Sequence, residues 1–247
     1  MKKVLVVQFR LNKDAARAER ADIARAAEGR AEIVVVNALT DDVEWSAPAS
    51  LLSGYHGVIL GGSGDLHFDG GAQRGTPAHD MMYDVARTMQ PFIAYLLAHD
   101  IPTLGICLGH QLLAYAAGVA VRQCPQQAKT GTFTVVKKCS ADDPIFGTLP
   151  QTFAAQYGHK DSVTALPHGA TLLAAGEQCN FGALRYGKHV YSTQFHPELD
   201  VQTMKERIAA HPEYVPEGAN PDTLFAPSPH ATQVLINFFT FVAQRAE

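Results

Sequence analysis

Among the side chains able to do chemistry, Cys107 has the most telling neighbours: it sits in Gly105-Ile106-Cys107-Leu108-Gly109-His110-Gln111, between glycines two positions away on either side. The apolar run Ile101 to Ile106 reads as a short buried strand. Leu108, Leu112 and Tyr115 then recur at helical spacing until Gly118 stops the pattern. A cysteine on a sharp strand-to-helix turn is placed as a nucleophile is, with small flanking residues admitting strained dihedrals and close substrate approach. The N–H groups and dipole of the following helix favour an anion, which helps the thiol ionise. The alternative is a packed thiol in a tight turn, and only partners elsewhere in the chain decide between the two.

Those partners are offered by Gln194-Phe195-His196-Pro197-Glu198. In extended backbone, residues two apart point the same way, so His196 and Glu198 can meet; Pro197 disfavours a helical conformation at His196. A carboxylate accepting from one imidazole nitrogen leaves the other to serve a thiol, giving a Cys-His-Glu arrangement. His110 and His159 are rival bases, and an ordinary exposed His-Glu pair is the plain alternative. A third element is Gly61-Gly62-Ser63-Gly64-Asp65, which follows the strand Val58 to Leu60. Backbone N–H groups at Gly62 and at Leu108 are the candidate oxyanion donors.

Positioning these segments requires a sheet. Apolar runs at Val4 to Val7, Ile33 to Val36, Val58 to Leu60 and Thr103 to Ile106 alternate with helix-compatible stretches at Ala15 to Glu28 and Met81 to His99. This predicts an α/β fold with a largely parallel central sheet flanked by helices, whose ligands bind beyond the strand C-termini. After Gly118 the strands carry mixed polar residues: Phe133 to Val136, Phe153 to Tyr157, Thr171 to Ala175, Phe181 to Tyr186 and Val190 to Phe195. They are expected to add antiparallel strands at one side of the sheet. Five prolines between Leu199 and Pro229 predict an irregular surface excursion over about 199–229, and a closing amphipathic helix is expected over Thr232 to Val242.

The 247 residues, 47% hydrophobic with a net charge of −4, fit one α/β domain spanning 1–247. They carry no basic footprint for nucleic acid or an anionic membrane. Cys107, Cys124, Cys139 and Cys179 lack metal-ligand spacing and suit reduced thiols in a cytoplasm. The N-terminus reads as a strand rather than a signal peptide, and no apolar run is long enough to span a bilayer.

In this order and at these positions, the three segments resemble the class I glutamine amidotransferase domain, which has a flavodoxin-like fold and a Cys-His-Glu triad. G-I-C-L-G-H-Q at Gly105 to Gln111 and Q-F-H-P-E at Gln194 to Glu198 carry the likeness most strongly. Weaker marks are Asp143 to Phe146 with Leu149-Pro150, His159 to Val163, and Leu166 to Gly169. The resemblance implies Cys107 as nucleophile on a γ-carboxamide, His196 as general base and later acid, and Glu198 as its orienting carboxylate. It implies Gln111 and His159 as substrate-binding residues, leaves Asp161 open to a structural role bracing the loop, and requires neither cofactor nor metal. The expected reaction releases glutamate and ammonia through a γ-glutamyl thioester. The expected partners are the small-molecule substrate and a separate synthase or acceptor subunit.

Two departures stand out. Ser63 follows Gly62 where many relatives read G-G-P, and the glycine-rich segment Asp65 to Pro77, with His67 and Arg74, is a candidate either for a lid or for a determinant of substrate choice. A γ-glutamyl peptidase and a non-catalytic regulatory relative are the competing readings.

Overall fold

The computed structural model describes residues 1–69 and 74–245; the middle of the candidate lid, 70–73, lies outside them. The first half follows the strand–helix alternation: β1 Lys3–Gln8, α1 Lys13–Ala27, β2 Glu32–Asn37, a single turn α2 Pro48–Leu51, β3 Gly57–Leu60, α3 Pro77–Ala98, β4 Thr103–Ile106 and α4 Leu108–Ala116. Then come β5 Val121–Gln123, β6 Lys129–Lys137, β7 Thr152–His159, β8 Asp161–Val163, β9 Ala170–Gly176, β10 Cys179–Tyr186 and β11 Val190–Thr193. The chain closes with α5 Val201–Ala209, two 3-10 turns at Pro212–Tyr214 and Pro221–Thr223, and α6 Pro229–Gln244.

Among the described residues, nine strands form one sheet in the order β2-β1-β3-β4-β11-β10-β9-β6-β7. The pairings from β2 across to β11 are parallel, and those from β11 to β7 antiparallel. The expected α/β architecture, with antiparallel strands at one side, is the one observed. A strand buried on both faces divides its side chains between two cores. Val4 and Val6 accordingly join Ile23 of α1 and Phe238 of α6 on one face, while Leu5 and Val7 join Phe92 of α3 and Leu112 of α4 on the other. Each fully buried aliphatic side chain contributes about 1.5–3 kcal/mol relative to exposure. This is why short, unbroken apolar runs specify the parallel half so firmly.

Two expectations are corrected, and one pairing is added. The excursion at 199–229 is not irregular throughout, because residues 201–209 form α5. Asp200 accepts from Thr203 N–H at 2.9 Å and Thr203 Oγ1 accepts from Asp200 N–H at 3.0 Å, a reciprocal cap that starts the helix before the prolines begin. Met204 and Ile208, one helical turn apart, then pack with Leu199, Tyr214 and Phe225 in a small third core. The last strand ends at Thr193 rather than Phe195. Finally, β5 and β8 pair in a separate two-stranded sheet, which short polar sequences did not announce. Among the described residues no helix is long and apolar enough to cross a membrane.

Candidate active site

β4 lies between β3 and β11, so the chain leaving its C-terminus emerges between the ends of those two strands. Cys107 is the residue at that exit. It takes φ 51° and ψ −96°, a conformation that costs a non-glycine residue roughly 1–3 kcal/mol and persists only where surroundings impose it. Here its N–H donates to Thr193 O at 2.8 Å, its carbonyl accepts from Gln111 N–H at 3.1 Å, and Gly109 N–H donates to Gly61 O at 3.1 Å.

The flanking glycines serve packing rather than strained dihedrals, which corrects the sequence expectation. A Cβ on Gly109 would lie 2.2 Å from Leu60 O, and one on Gly105 would lie 2.7 Å from the Gly109 backbone. The helix is thus pressed onto the strand ends, and the strain falls on Cys107 itself.

His196 and Glu198 do come together, by a different route from strand alternation. His196 forms an isolated antiparallel bridge with Gln156, its N–H donating to Gln156 O at 2.9 Å, and the chain turns at Pro197 and Glu198. The turn sets His196 Nδ1 2.7 Å from Glu198 Oε1, with both side chains buried. Burial opposes charge on the ring, but the Glu198 carboxylate and the Cys107 sulfur outweigh it, and the His196 pKa rises to about 9. Burial likewise opposes charge on Glu198, yet His196 and then Arg207 hold its pKa below the usual range.

Gly62 packs against this pair. A Cβ at that position would lie 3.1 Å from His196 Cε1 and 3.5 Å from Cys107 Cβ, which accounts for the missing side chain. Leu108 opens α4, where the first N–H groups of a helix have no intrahelical acceptor. Ser63, after Gly62, donates to Phe9 O at 2.8 Å and accepts from the N–H groups of Asp65 and Leu66, tying the glycine loop to the end of β1.

Gln111 and His159 converge on one carbonyl: Gln111 Nε2 donates to Asp161 O at 2.9 Å, and so does His159 Nδ1, also at 2.9 Å. Burial depresses His159 to about 4, so the ring is neutral, a donor at Nδ1 and a bare acceptor at Nε2. The Asp161 carboxylate accepts from Phe68 N–H and Asp69 N–H at 2.9 and 3.0 Å, bracing the start of the 65–77 segment. The rival base His110 is fully buried against Ser192 Oγ at 2.8 Å, and burial lowers its pKa to about 3. It is a neutral core histidine.

Four participants escaped sequence reading. Gln194 Nε2 donates to Cys107 Sγ at 3.6 Å and its Oε1 accepts from Gln111 Nε2 at 3.2 Å. Arg10, just past β1, pairs with Glu19 of α1 at 2.7 Å with both side chains buried. Arg207 of α5 reaches Glu198 Oε1 at 3.4 Å. Tyr214 stacks on His67 at 6.0 Å, lies under the Lys160 ammonium at 4.7 Å, and walls the small cavities beside both Cys107 and His196. The Asp200/Thr203 cap signal followed by Met204 and Ile208 would have revealed α5, and with it Arg207.

The sequence profile of the family described as glutamine amidotransferase class-I matches residues 23–211. A glutamine-hydrolyzing GMP synthase subunit from Archaeoglobus fulgidus is 30% identical over 64% of this chain and 74% of its own length. Its counterpart from Methanocaldococcus jannaschii is 36% identical over 46% of this chain and 54% of its own. In three dimensions, a glutamine amidotransferase from Thermotoga maritima superposes over 99% of both chains with a TM-score of 0.73 at 22% identity. The family profile and the identity to the archaeal proteins agree with the motifs and with the elbow they build: this chain belongs to the class-I glutamine amidotransferase family.

Proposed function

We propose that this protein hydrolyses the γ-carboxamide of glutamine through a γ-glutamyl thioester on Cys107, releasing glutamate and ammonia. The observation that carries this reading is the strained Cys107 elbow facing a buried His196 whose Nδ1 is 2.7 Å from Glu198. With the thiol proton resting on His196, the thiolate attacks the γ-carbon. The resulting oxyanion is taken by the N–H groups of Gly62 and Leu108. Collapse breaks the C–N bond, and the nitrogen leaves as ammonia with the proton His196 held. Water then attacks the thioester and gives a proton to His196; the C–S bond breaks, glutamate departs and the thiolate–imidazolium pair is restored. Gln111 and His159 hold the glutamine head group.

The four cysteines are unpaired, which accords with a reducing cytoplasm. The relatives named as glutamine-hydrolyzing GMP synthase subunits support an ammonia acceptor on a separate synthase chain.

A second reading, a γ-glutamyl peptidase, is favoured by one feature. Beyond His196, the wall formed by Arg10, Arg207 and His211 is shared with a cavity of about 500 Å³ between α1 and α5. A leaving group larger than ammonia would extend in that direction.

Steady-state ammonia release from glutamine, compared with cleavage of γ-glutamyl dipeptides, separates the two. Cys107→Ser is expected to abolish turnover of either substrate with the fold intact. Undiminished release of the γ-glutamyl product would remove Cys107 from the reaction, and negligible glutaminase activity, alone and with candidate synthases, would remove the first reading.

A further inference from the structure

Glu198 is held through one oxygen. Oε1 meets His196 Nδ1 at 2.7 Å and Arg207 Nη1 at 3.4 Å, while Oε2 is buried and makes no hydrogen bond among the described residues. A carboxylate anchored so unevenly can rotate about its own side chain, and rotation would break the contact that orients the imidazole. Arg207 comes from α5, outside the parallel sheet that carries Cys107. Its side chain is 13% exposed, and its second nitrogen, Nη2, lies 3.8 Å from Asp22 Oδ2 of α1. The guanidinium therefore bridges a carboxylate of the candidate triad and one on a helix of the main fold.

We propose that Arg207 is a positioning residue of this site, clamping Glu198 from α5 so that the carboxylate keeps His196 aimed at Cys107. The inference rests on the reading of Cys107, His196 and Glu198 as the reacting triad. A planar fork spanning two carboxylates holds orientation as well as charge, which a lysine ammonium cannot reproduce.

The surrounding charges give the proposal a sign. Facing the Glu198–His196 pair are Cys107 at the start of α4, His159 on β7, Arg10 after β1, Glu19 and Asp22 on α1, and Arg207 on α5. Arg25 pairs with Asp22 at 3.0 Å, Glu19 is paired with Arg10, and Lys129 acts on the neutral His159. Arg207 draws on the same carboxylate that stabilises the imidazolium. Removing its charge leaves His196 and Arg10 as the cations facing Glu198, so the imidazolium survives to higher pH even as its aim is loosened.

The test compares wild type, Arg207→Met and Arg207→Lys by kcat and KM on glutamine and a γ-glutamyl dipeptide, and by the pH profile of Cys107 alkylation with iodoacetamide, read by peptide mass spectrometry. The alkylation readout works whichever substrate is the true one. Arg207→Met is expected to lower kcat about tenfold, the scale of one charge-assisted hydrogen bond, with KM within about twofold, and to move the upper step of the alkylation profile to higher pH. Arg207→Lys should leave that step near its wild-type position while kcat still falls.

An unmoved profile in Arg207→Met, or a kcat loss that merely tracks lowered unfolding stability, overturns the proposal. If Arg207→Met does not fold, Arg207→Lys decides it alone, an unchanged kcat and alkylation profile being the adverse result. Cys107→Ser run in parallel separates the layers. If turnover survives in Cys107→Ser the triad reading fails, whereas loss there with no effect at Arg207 defeats only the clamp.

Discussion

Cys107, His196 and Glu198 form a coupled unit in which charge on one member sets the state of the next. With its pKa near 9, His196 holds a proton at neutral pH, so in the proposed mechanism the ring begins the cycle as the acid for the departing nitrogen. The sign follows: this form is complete well below pH 9 and is lost as pH rises through about 9, so kcat should fall along an alkaline limb there. A pH–rate profile that stayed flat through about pH 10 would count against that assignment. Glu198, held below the ordinary carboxylate range, stays ionised through neutral pH and loses its orienting charge only in acid. Glu198→Gln should therefore cost less than His196→Ala, since the first damages orientation and the second removes the proton carrier. Equal losses in single-turnover assays would contradict that division.

At the scale of elements, the site depends on how tightly α4 sits on the strand ends. Gly109 gives that closeness a number: its missing Cβ would lie 2.2 Å from the carbonyl oxygen of Leu60, which is backbone and cannot swing aside. Gly109→Ala is expected to destabilise the fold by about 2 kcal/mol or more, seen as a lower urea midpoint at unchanged slope. It should also impair turnover beyond what the unfolded fraction explains, because α4 carries Cys107 at its first turn. A variant as stable and active as wild type would show that the elbow tolerates a wider gap. The strand and helix runs of this half are legible in sequence because β1, β3 and β4 are buried on both faces. The close approach of Gly109 to Leu60 is not, since it joins residues almost fifty positions apart.

Across the whole molecule, the segment after Glu198 reaches back over Cys107 through Tyr214. The cavities beside Cys107 and His196 measure about 10 and 20 Å³, each room for about one water, and Tyr214 walls both. Tyr214→Ala should lower KM, and more for a γ-glutamyl dipeptide than for glutamine, because the larger leaving group needs the space the ring fills. Equal changes for both substrates, or none, would place the barrier elsewhere.

The parallel half of the sheet, the elbow at Cys107 and the pairing of His196 with Glu198 are all written in consecutive residues, because burial periodicity and short-range chain geometry are local properties. Other features came into view with the folded chain alone: His110 is a neutral core residue, α5 rises from a stretch whose prolines hid it, and Arg10, Arg207, Gln194 and Tyr214 close around the site. Those contacts join segments far apart in the chain, and the charge and burial that give them meaning exist only once the sheet has brought them together.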